Sequence, residues 1–361
     1  MIIVGINQSQ YQQDFEEKMQ ELVGLVEAAG AQVVSQVTQN LSRAHPATLI
    51  GPGKAEDIAQ LVIEQQADGV VFLSELSGSQ IRNLEELLGT KVLDRTNLIL
   101  DIFASRATSR EGKLQVKLAQ LQYRLPRLVG YRNYLSRLGG GIGTRGPGEQ
   151  KLEVDRRHIL REIKNIRKQL KKSTQHRQRT RRQRLKSTLP LVALIGYTNA
   201  GKSTITNQLL AHSQQSEGKE VLTKDMLFAS LDPSIRLVKI DESFQFLLAD
   251  TVGFVSDLPT LLVESFQSTL EEIEYADLIV IVVDGSSRSV QHQLETTEDI
   301  LNQLQVGDTP QLIVYNKADL MADILVPENG KHHLHLSALN DGDIRILIDR
   351  LRLMLHGDLN K

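Results

Sequence analysis

Cysteine and tryptophan are absent from the 361 residues, and aromatics amount to 4%. Without cysteine there is no disulfide and no thiolate metal centre. The nine histidines show no zinc-ligand spacing. His332, His333 and His335 cluster, but they interleave with Leu334 and Leu336 and read as a partly exposed strand end in preference to a metal site. No apolar run approaches the roughly 18 residues of a membrane span, and the N-terminus lacks the basic, apolar and small-residue sections of a signal peptide. The expectation is a soluble, cytoplasmic protein without membrane insertion, acting as a monomer and long enough for two or three domains.

Net charge is small overall but segregated locally. The net charge is −2, yet residues 151–188 hold fifteen Lys and Arg against Glu153, Asp155 and Glu162, or +12, which leaves −14 on the rest. Such segregation suits a polyanion better than it suits solubility alone.

Residues 1–100 alternate short apolar runs with amphipathic stretches. Ile2 to Ile6, Val33 to Val37 and Val70 to Leu73 read as strands, and Phe15 to Ala29 and Ala55 to Gln66 as helices, which makes a small α/β domain with a parallel sheet. Gly51-Pro52-Gly53-Lys54 is a turn before a helix; an anion could sit there, but a plain connector is the better reading. From Glu111, Leu114, Leu118, Leu121, Leu125 and Leu128 form one apolar stripe, with Pro126 near its end or kink, and Ile159, Ile163, Ile166 and Leu170 form another. Two stripes joined by a loop predict an antiparallel helical hairpin. Its tip holds six glycines between Gly139 and Gly148, flanked by Arg137 and including Arg145, at an entropic cost that no simple turn requires. A flexible hinge is the bland alternative. The tip and the adjoining basic run favour contact with folded RNA through backbone and shape, since aromatics for base stacking are few.

The densest motif is Gly196-Tyr197-Thr198-Asn199-Ala200-Gly201-Lys202-Ser203-Thr204, after the apolar run Leu191 to Ile195 and before a plausible helix. This is a P-loop: backbone N–H groups face a phosphate, Lys202 bridges the β- and γ-phosphates, and the Ser203 hydroxyl holds Mg²⁺. Phe246 to Ala249 is a buried strand ending in Asp250-Thr251-Val252-Gly253. There Asp250 would hold Mg²⁺ through water, and the Gly253 N–H would sense the γ-phosphate as part of a switch. Asn316-Lys317-Ala318-Asp319 follows another apolar strand; the Asp319 carboxylate matches guanine's paired donors, which argues for GTP over ATP. Ser337-Ala338-Leu339 could meet the base's O6 by backbone. The ordered set makes residues 189–361 a GTPase domain. Phe254 stands where many GTPases place a water-orienting glutamine, so intrinsic hydrolysis should be slow unless a polar residue elsewhere substitutes. Asn199 could help bind K⁺ beside the phosphates; it could also simply bond the loop backbone.

These residues together resemble the HflX family of translation-factor-related GTPases over nearly the whole chain. The most specific part is Glu111 to Leu121, Leu125 to Leu128, Gly139 to Glu149 and Asp155-Arg156-Arg157, joined by Gly51 to Lys54, Gly196 to Thr204, Asp250 to Phe254, Asp257 to Pro259 and Ser268 to Glu271. The resemblance implies a GTPase that binds the large ribosomal subunit and its RNA, separates or rescues ribosomes under stress and is stimulated by them; weaker ATP hydrolysis is a side possibility. The alternative is an assembly or anti-association factor whose departure GTP merely times. An adaptor role at membrane proteases has no amphipathic membrane helix behind it. The family's switch I signature corresponds to Phe228-Ala229-Ser230-Leu231-Asp232-Pro233, with serine where the family has threonine; Ser230 keeps the hydroxyl for Mg²⁺. Many members carry a further short domain, whereas this sequence stops at Lys361, so any contact made by that extension would be lacking or replaced. The expected architecture is α/β in three parts: an N-terminal α/β domain (1–108), a helical hairpin with a glycine-rich tip and basic segment (109–188), and a P-loop GTPase domain with a mostly parallel sheet (189–361). The cofactor is Mg²⁺, with K⁺ as a conditional second ion.

Overall fold

The computed structural model describes residues 1–8, 12–129, 147–184, 189–214, 234–251, 253–254, 273–287, 289–304, 306, 308–321 and 329–357. They form two compact units, Met1–Ser105 with Lys113–Ser173, and Arg106–Gly112 with Thr174–Lys361.

The first unit is built on β1 (Ile2–Asn7), β2 (Ser35–Asn40), β3 (Gly69–Phe72) and β4 (Lys91–Asp94), all parallel in the order β2-β1-β3-β4. The central β1 is buried on both faces, as its unbroken apolar run requires. Helices α1 (Gln12–Ala28), α2 (Pro52–Glu64), α3 (Gly78–Leu88) and α4 (Arg95–Arg106) complete this layer structure. The strand expected over Val33 to Val37 lies at Ser35–Asn40 instead. It is an edge strand alternating half-buried and exposed residues, so polar Gln and Thr serve its outer face, and Val34 stays 48% exposed just before it. The Gly51 turn is a helix start: its N–H donates to Gln39 Oε1 at 3.1 Å, Pro52 occupies the first turn, and Lys54 pairs with Asp57 at 3.0 Å.

Two elements absent from the strand and helix reading above, α3 and β4, frame a buried carboxylate. Helix α3 opens with a Ser77–Gln80 capping box and closes on Gly89 at φ 64. Asp94, at the end of β4, is fully buried and receives hydrogen bonds from Leu76 N (2.9 Å), Asn97 N (2.8 Å) and the Tyr123 hydroxyl, with Arg127 Nη2 at 3.4 Å. Arg127 also donates Nε to Leu76 O at 3.0 Å and stacks over the Tyr123 ring at 3.3 Å. Burial, reinforced by Asp94, pushes the Tyr123 phenol up. Tyr123 and Arg127 belong to α5 (Arg110–Val129), and Gly78 lets that helix approach, since a Cβ there would collide with the Arg127 carbonyl. Helix α5 runs three residues beyond Pro126. Its stripe packs against α6 (Pro147–Arg184) through Leu118, Leu121, Ile159, Ile163 and Ile166, flanked by Leu114, Leu125, Leu128 and Leu170, the residues the spacing had singled out.

The second unit carries β5 (Leu191–Gly196), β6 (Ser234–Lys239), β7 (Gln245–Asp250), β8 (Leu278–Asp284), β9 (Gln311–Asn316) and β10 (His333–His335), in the order β10-β9-β8-β5-β7-β6. Only β6 is antiparallel. Helices α7 (Lys202–Ala211), α8 (Val290–Gln303) and α9 (Asp341–Gly357) join this sheet in two apolar clusters, one centred on Leu194, Phe246 and Leu347, the other on Ile195, Ile279 and Ile300. Strand β5 lies between β7 and β8, where the strand order reverses, the position at which open α/β sheets bind ligands. In β10, His333 stacks on Tyr315 with centroids 6.1 Å apart and His335 meets it edge-on at 5.3 Å, so both rings have packing partners.

Candidate nucleotide site

The loop leaving β5 is shaped by three residues with positive φ: Gly196 (141°), Asn199 (61°) and Gly201 (95°). A Cβ at Gly196 would collide with the Val282 carbonyl, and one at Gly201 with the Asn316 amide, so both glycines are required by close approach as well as by conformation. Asparagine tolerates the left-handed region, and Asn199 is exposed. Gly201 caps α7, whose first residues, Lys202, Ser203 and Thr204, present the helix N-terminus to the loop.

Lys202 is 6% exposed, and its ammonium donates to Gly196 O at 2.9 Å and Tyr197 O at 2.6 Å, carbonyls of its own loop. Burial lowers its pKa to about 8 against the opposing pull of Asp250. Asp250, at the end of β7, is 2% exposed and neither carboxylate oxygen has a hydrogen-bond partner among the described residues. Burial raises it to about 6, with Lys202 and Arg236 acting the other way. A buried carboxylate left without donors costs free energy that a ligand can recover. A hydrated Mg²⁺ is such a ligand: Asp250 offers two hard oxygens, and the half-buried Ser203 hydroxyl on α7 adds a third.

The next residues of the motif are tied down. Thr251 Oγ1 donates to Leu194 O at 2.7 Å. Phe254 N donates to Gly196 O at 3.1 Å and Thr198 N to Phe254 O at 2.7 Å, which zips this segment onto the P-loop. The Phe254 ring is 4% exposed and belongs to the apolar cluster with Ile195 and Ile279. It therefore offers nothing polar to the site. Gly253 sits against the loop, for a Cβ there would lie 2.8 Å from Thr198 Cγ2 and 3.0 Å from Lys202 Nζ.

Asn316 is 2% exposed and acts as a brace: its Nδ2 donates to Ala200 O at 2.8 Å, and its Oδ1 accepts from Ala338 N at 2.9 Å. Ser337 N donates to Asp343 Oδ2 at 2.7 Å. Two of the three backbone donors in Ser337-Ala338-Leu339 are thus engaged within the protein. Lys317, at φ 62, pairs with Asp284 Oδ2 at 2.6 Å, and Asp319 is exposed. Asp284 and Asp343 were not among the residues singled out from the sequence; Asp284 could have been found, since like Asp250 it ends a buried strand. Phe228, Ala229, Ser230, Val252 and the hairpin tip at 139–146 lie outside the described residues, as do the side chains of the basic segment from 174 on.

Three family profiles cover successive parts of the chain: "GTP-binding GTPase N-terminal" over 16–104, "GTP-binding GTPase Middle Region" over 106–184 and "50S ribosome-binding GTPase" over 191–317. The chain is 48% identical to GTPase HflX of Caldanaerobacter subterraneus subsp. tengcongensis over 346 residues, covering 96% of this chain and 78% of that protein. The chain belongs to the HflX GTPase family. Similarity to other HflX proteins is of the same order: 46% identity for that of Alkalihalophilus pseudofirmus, over 99% of this chain and 83% of the relative, and 40% for that of Escherichia coli K12, over 95% and 80%. In fold it is similar to the crystal structure of SsGBP with GDP (TM-score 0.57, 22% identity, 100% and 99% covered). The structure of a GTP-binding protein from Sulfolobus solfataricus with GDP is also similar (TM-score 0.52, 23% identity, 98% of both chains). As an HflX-family member, the chain is a GTP hydrolase. Among the described residues no helix is long and apolar enough to cross a membrane.

Proposed function

We propose that this HflX-family GTPase is a cytoplasmic, monomeric switch that binds the large ribosomal subunit in its GTP form, acts in ribosome splitting or rescue, and leaves on hydrolysis. The observation that carries the ribosomal half is the build of α6. Ile159, Ile163 and Ile166 are buried in the seam with α5, while Arg156, Arg161, Lys164, Arg167, Lys168 and Lys171 are exposed. A rigid helix with a basic outer face suits a phosphate backbone. The profile that matches the GTPase domain is that of a 50S ribosome-binding GTPase.

In the reaction, the Lys202 ammonium leaves its own loop carbonyls for the β- and γ-phosphates, and the Gly253 N–H meets the γ-phosphate. Asp250 and Ser203 would hold Mg²⁺, with Ser230 completing the set in the GTP form, and an ion there would neutralise charge on the phosphate oxygens. Asp319 would read guanine, and Leu339 N–H, the donor of its triplet without a partner among the described residues, would meet O6. Asn199 is exposed, and its amide oxygen is of the kind that could help hold a K⁺ ion beside the phosphates. Equal turnover in KCl and NaCl would remove that ion from the scheme.

The test is GTP turnover by the purified protein alone and with large subunits at fixed Mg²⁺. Slow turnover raised many-fold by the subunits is the expected result. Unchanged turnover with binding intact would overturn a ribosome-triggered switch and favour the assembly factor.

A further inference from the structure

One charged pair at the C-terminal ends of β8 and β9 has no part in the scheme above. Lys317 Nζ lies 2.6 Å from Asp284 Oδ2, with side-chain exposures of 25% and 19%, so the pair is largely withdrawn from water. Lys317 itself stands at φ 62, in the left-handed region that a lysine enters only at a cost. Such an outlier persists where the surroundings hold it, and it marks clamps and ligand sites.

Both partners are held from several sides. Asp284 and Asn316 pair in register as the last residues of β8 and β9, and Gly285 N donates to Asn316 O at 2.8 Å just beyond them. Asp284 N donates to Gln293 Oε1 at 3.3 Å, and its Oδ1 accepts from Ser286 N at 3.0 Å and Ser286 Oγ at 2.6 Å. One carboxylate oxygen is thus spent on its own loop and the other on Lys317. On the far side Ala318 N donates to Leu336 O at 3.1 Å, and Leu320 N returns to Lys317 O at 2.9 Å, closing the short turn Ala318–Leu320. That turn carries Asp319, which is exposed. The left-handed step at Lys317 sets the direction of the turn, and the ammonium anchored on Asp284 holds the step.

We infer that Asp284 is a positioning residue for base selection: through Lys317 it fixes the turn that presents Asp319, and so governs the preference for guanine. This rests on the reading of Asp319 as the group that meets guanine's paired donors, and it is independent of the ribosomal partner. A carboxylate that must meet two donors at once is served by a fixed approach, because a turn free to reorient pays ordering entropy at each binding event. Adenine offers Asp319 no matching pair, so its binding owes nothing to that orientation. Asp284 has no part in the chemical step at Lys202 and Gly253, which runs unchanged once the nucleotide is seated.

The experiment uses Asp284→Asn in the full chain, which keeps an oxygen for Ser286 and removes the charge that holds Lys317. Affinity for fluorescent GDP, competition by ADP, and kcat and KM for GTP are measured for it, for Lys317→Met, for the double variant and for Asp319→Ala. In Asp284→Asn, GDP affinity should fall about tenfold, the worth of one charged hydrogen bond, while ADP competes as before. KM for GTP should rise with it and kcat should hold within about twofold, the signature of lost binding without lost chemistry. The double variant should lose no more than the worse single one, because both act through one pair. Unchanged GDP affinity in Asp284→Asn would overturn the inference, as would a kcat that falls as far as the affinity, or losses that add in the double variant. A guanine preference lost in Asp319→Ala but kept in Asp284→Asn would sink the inference alone; one kept in Asp319→Ala would sink the base reading and the inference with it. Should Asp284→Asn not fold, Lys317→Met breaks the same pair with the Ser286 bonds in place, and a preference that it leaves intact overturns the inference.

Discussion

Asp94 and Asp250 occupy corresponding places in the two sheets, each the last residue of a strand and each buried, yet their environments are opposites. Asp94 is saturated by two backbone N–H groups, a phenol and a guanidinium. Asp250 has no donor at all among the described residues. A buried carboxylate whose bonds are all made within the protein holds elements together; one whose bonds are not made awaits a ligand. Comparing the two units therefore separates a structural fastening, which joins α5 to β4 and the Leu76 turn, from a chemical site.

Substitution should break this contrast in opposite directions. Asp94→Ala leaves the Leu76 and Asn97 N–H groups and the Tyr123 hydroxyl without their acceptor and removes the buried partner of Arg127, and should lower stability by about 3–5 kcal/mol while GDP affinity stays unchanged; denaturant melts and fluorescent-GDP titration read the two quantities. Asp250→Asn should do the reverse. The metal-free protein melts no lower, while Mg²⁺-dependent turnover falls by about a hundredfold. A large loss of melting temperature in Asp250→Asn would contradict the distinction.

Phe254→Gln tests whether the residue after the switch glycine can be restored to its usual role. The side chain points into the core, so an amide there has no partner, and the expected outcome is a loss of about 1–3 kcal/mol in stability with no gain in turnover. Faster hydrolysis would show that the ring can leave its pocket.

The smallest effect is on pH. Asp250 titrates near 6 in the metal-free protein, raised from its unfolded value of 3.8 by burial. The folded state therefore holds a proton that the unfolded chain has already lost. This contribution to stability is full below about 4 and is lost as pH rises through about 6, and Asp250→Asn should flatten that slope. Mg²⁺ requires the ionised carboxylate, so Mg²⁺-dependent GDP affinity should fall about threefold to fivefold between pH 7.5 and 5.5. A flat profile would mean that Asp250 is ionised throughout.

Much of the nucleotide site was legible because its chemistry is local. The glycines of Gly196 to Thr204 and the two ordered motifs that follow act through backbone geometry over a few residues, and spacing alone exposes them. The hairpin seam was legible for a similar reason, since a stripe at helical period has one apolar face to bury. Less legible were β2, whose edge position lets polar residues form a strand, and α3, announced only by the Ser77–Gln80 capping box. The bracing by Asn316 was not legible. It stood among the nucleotide-binding residues, and its amide also bonds Ala200 O and Ala338 N, which lie 116 and 22 positions away along the chain and meet it only in the fold.

The sequence by itself determined the family, the three motif regions, the apolar seam of the hairpin and the basic charge of its second helix, because each follows from residue type and spacing along the chain. Only the tertiary structure decided that Asp94 is a fastening while Asp250 is buried without a donor among the described residues, and that Phe254 turns inward. Those outcomes depend on which donors come within about 3 Å of a buried group, and donors such as Tyr123 reach Asp94 from 29 positions away.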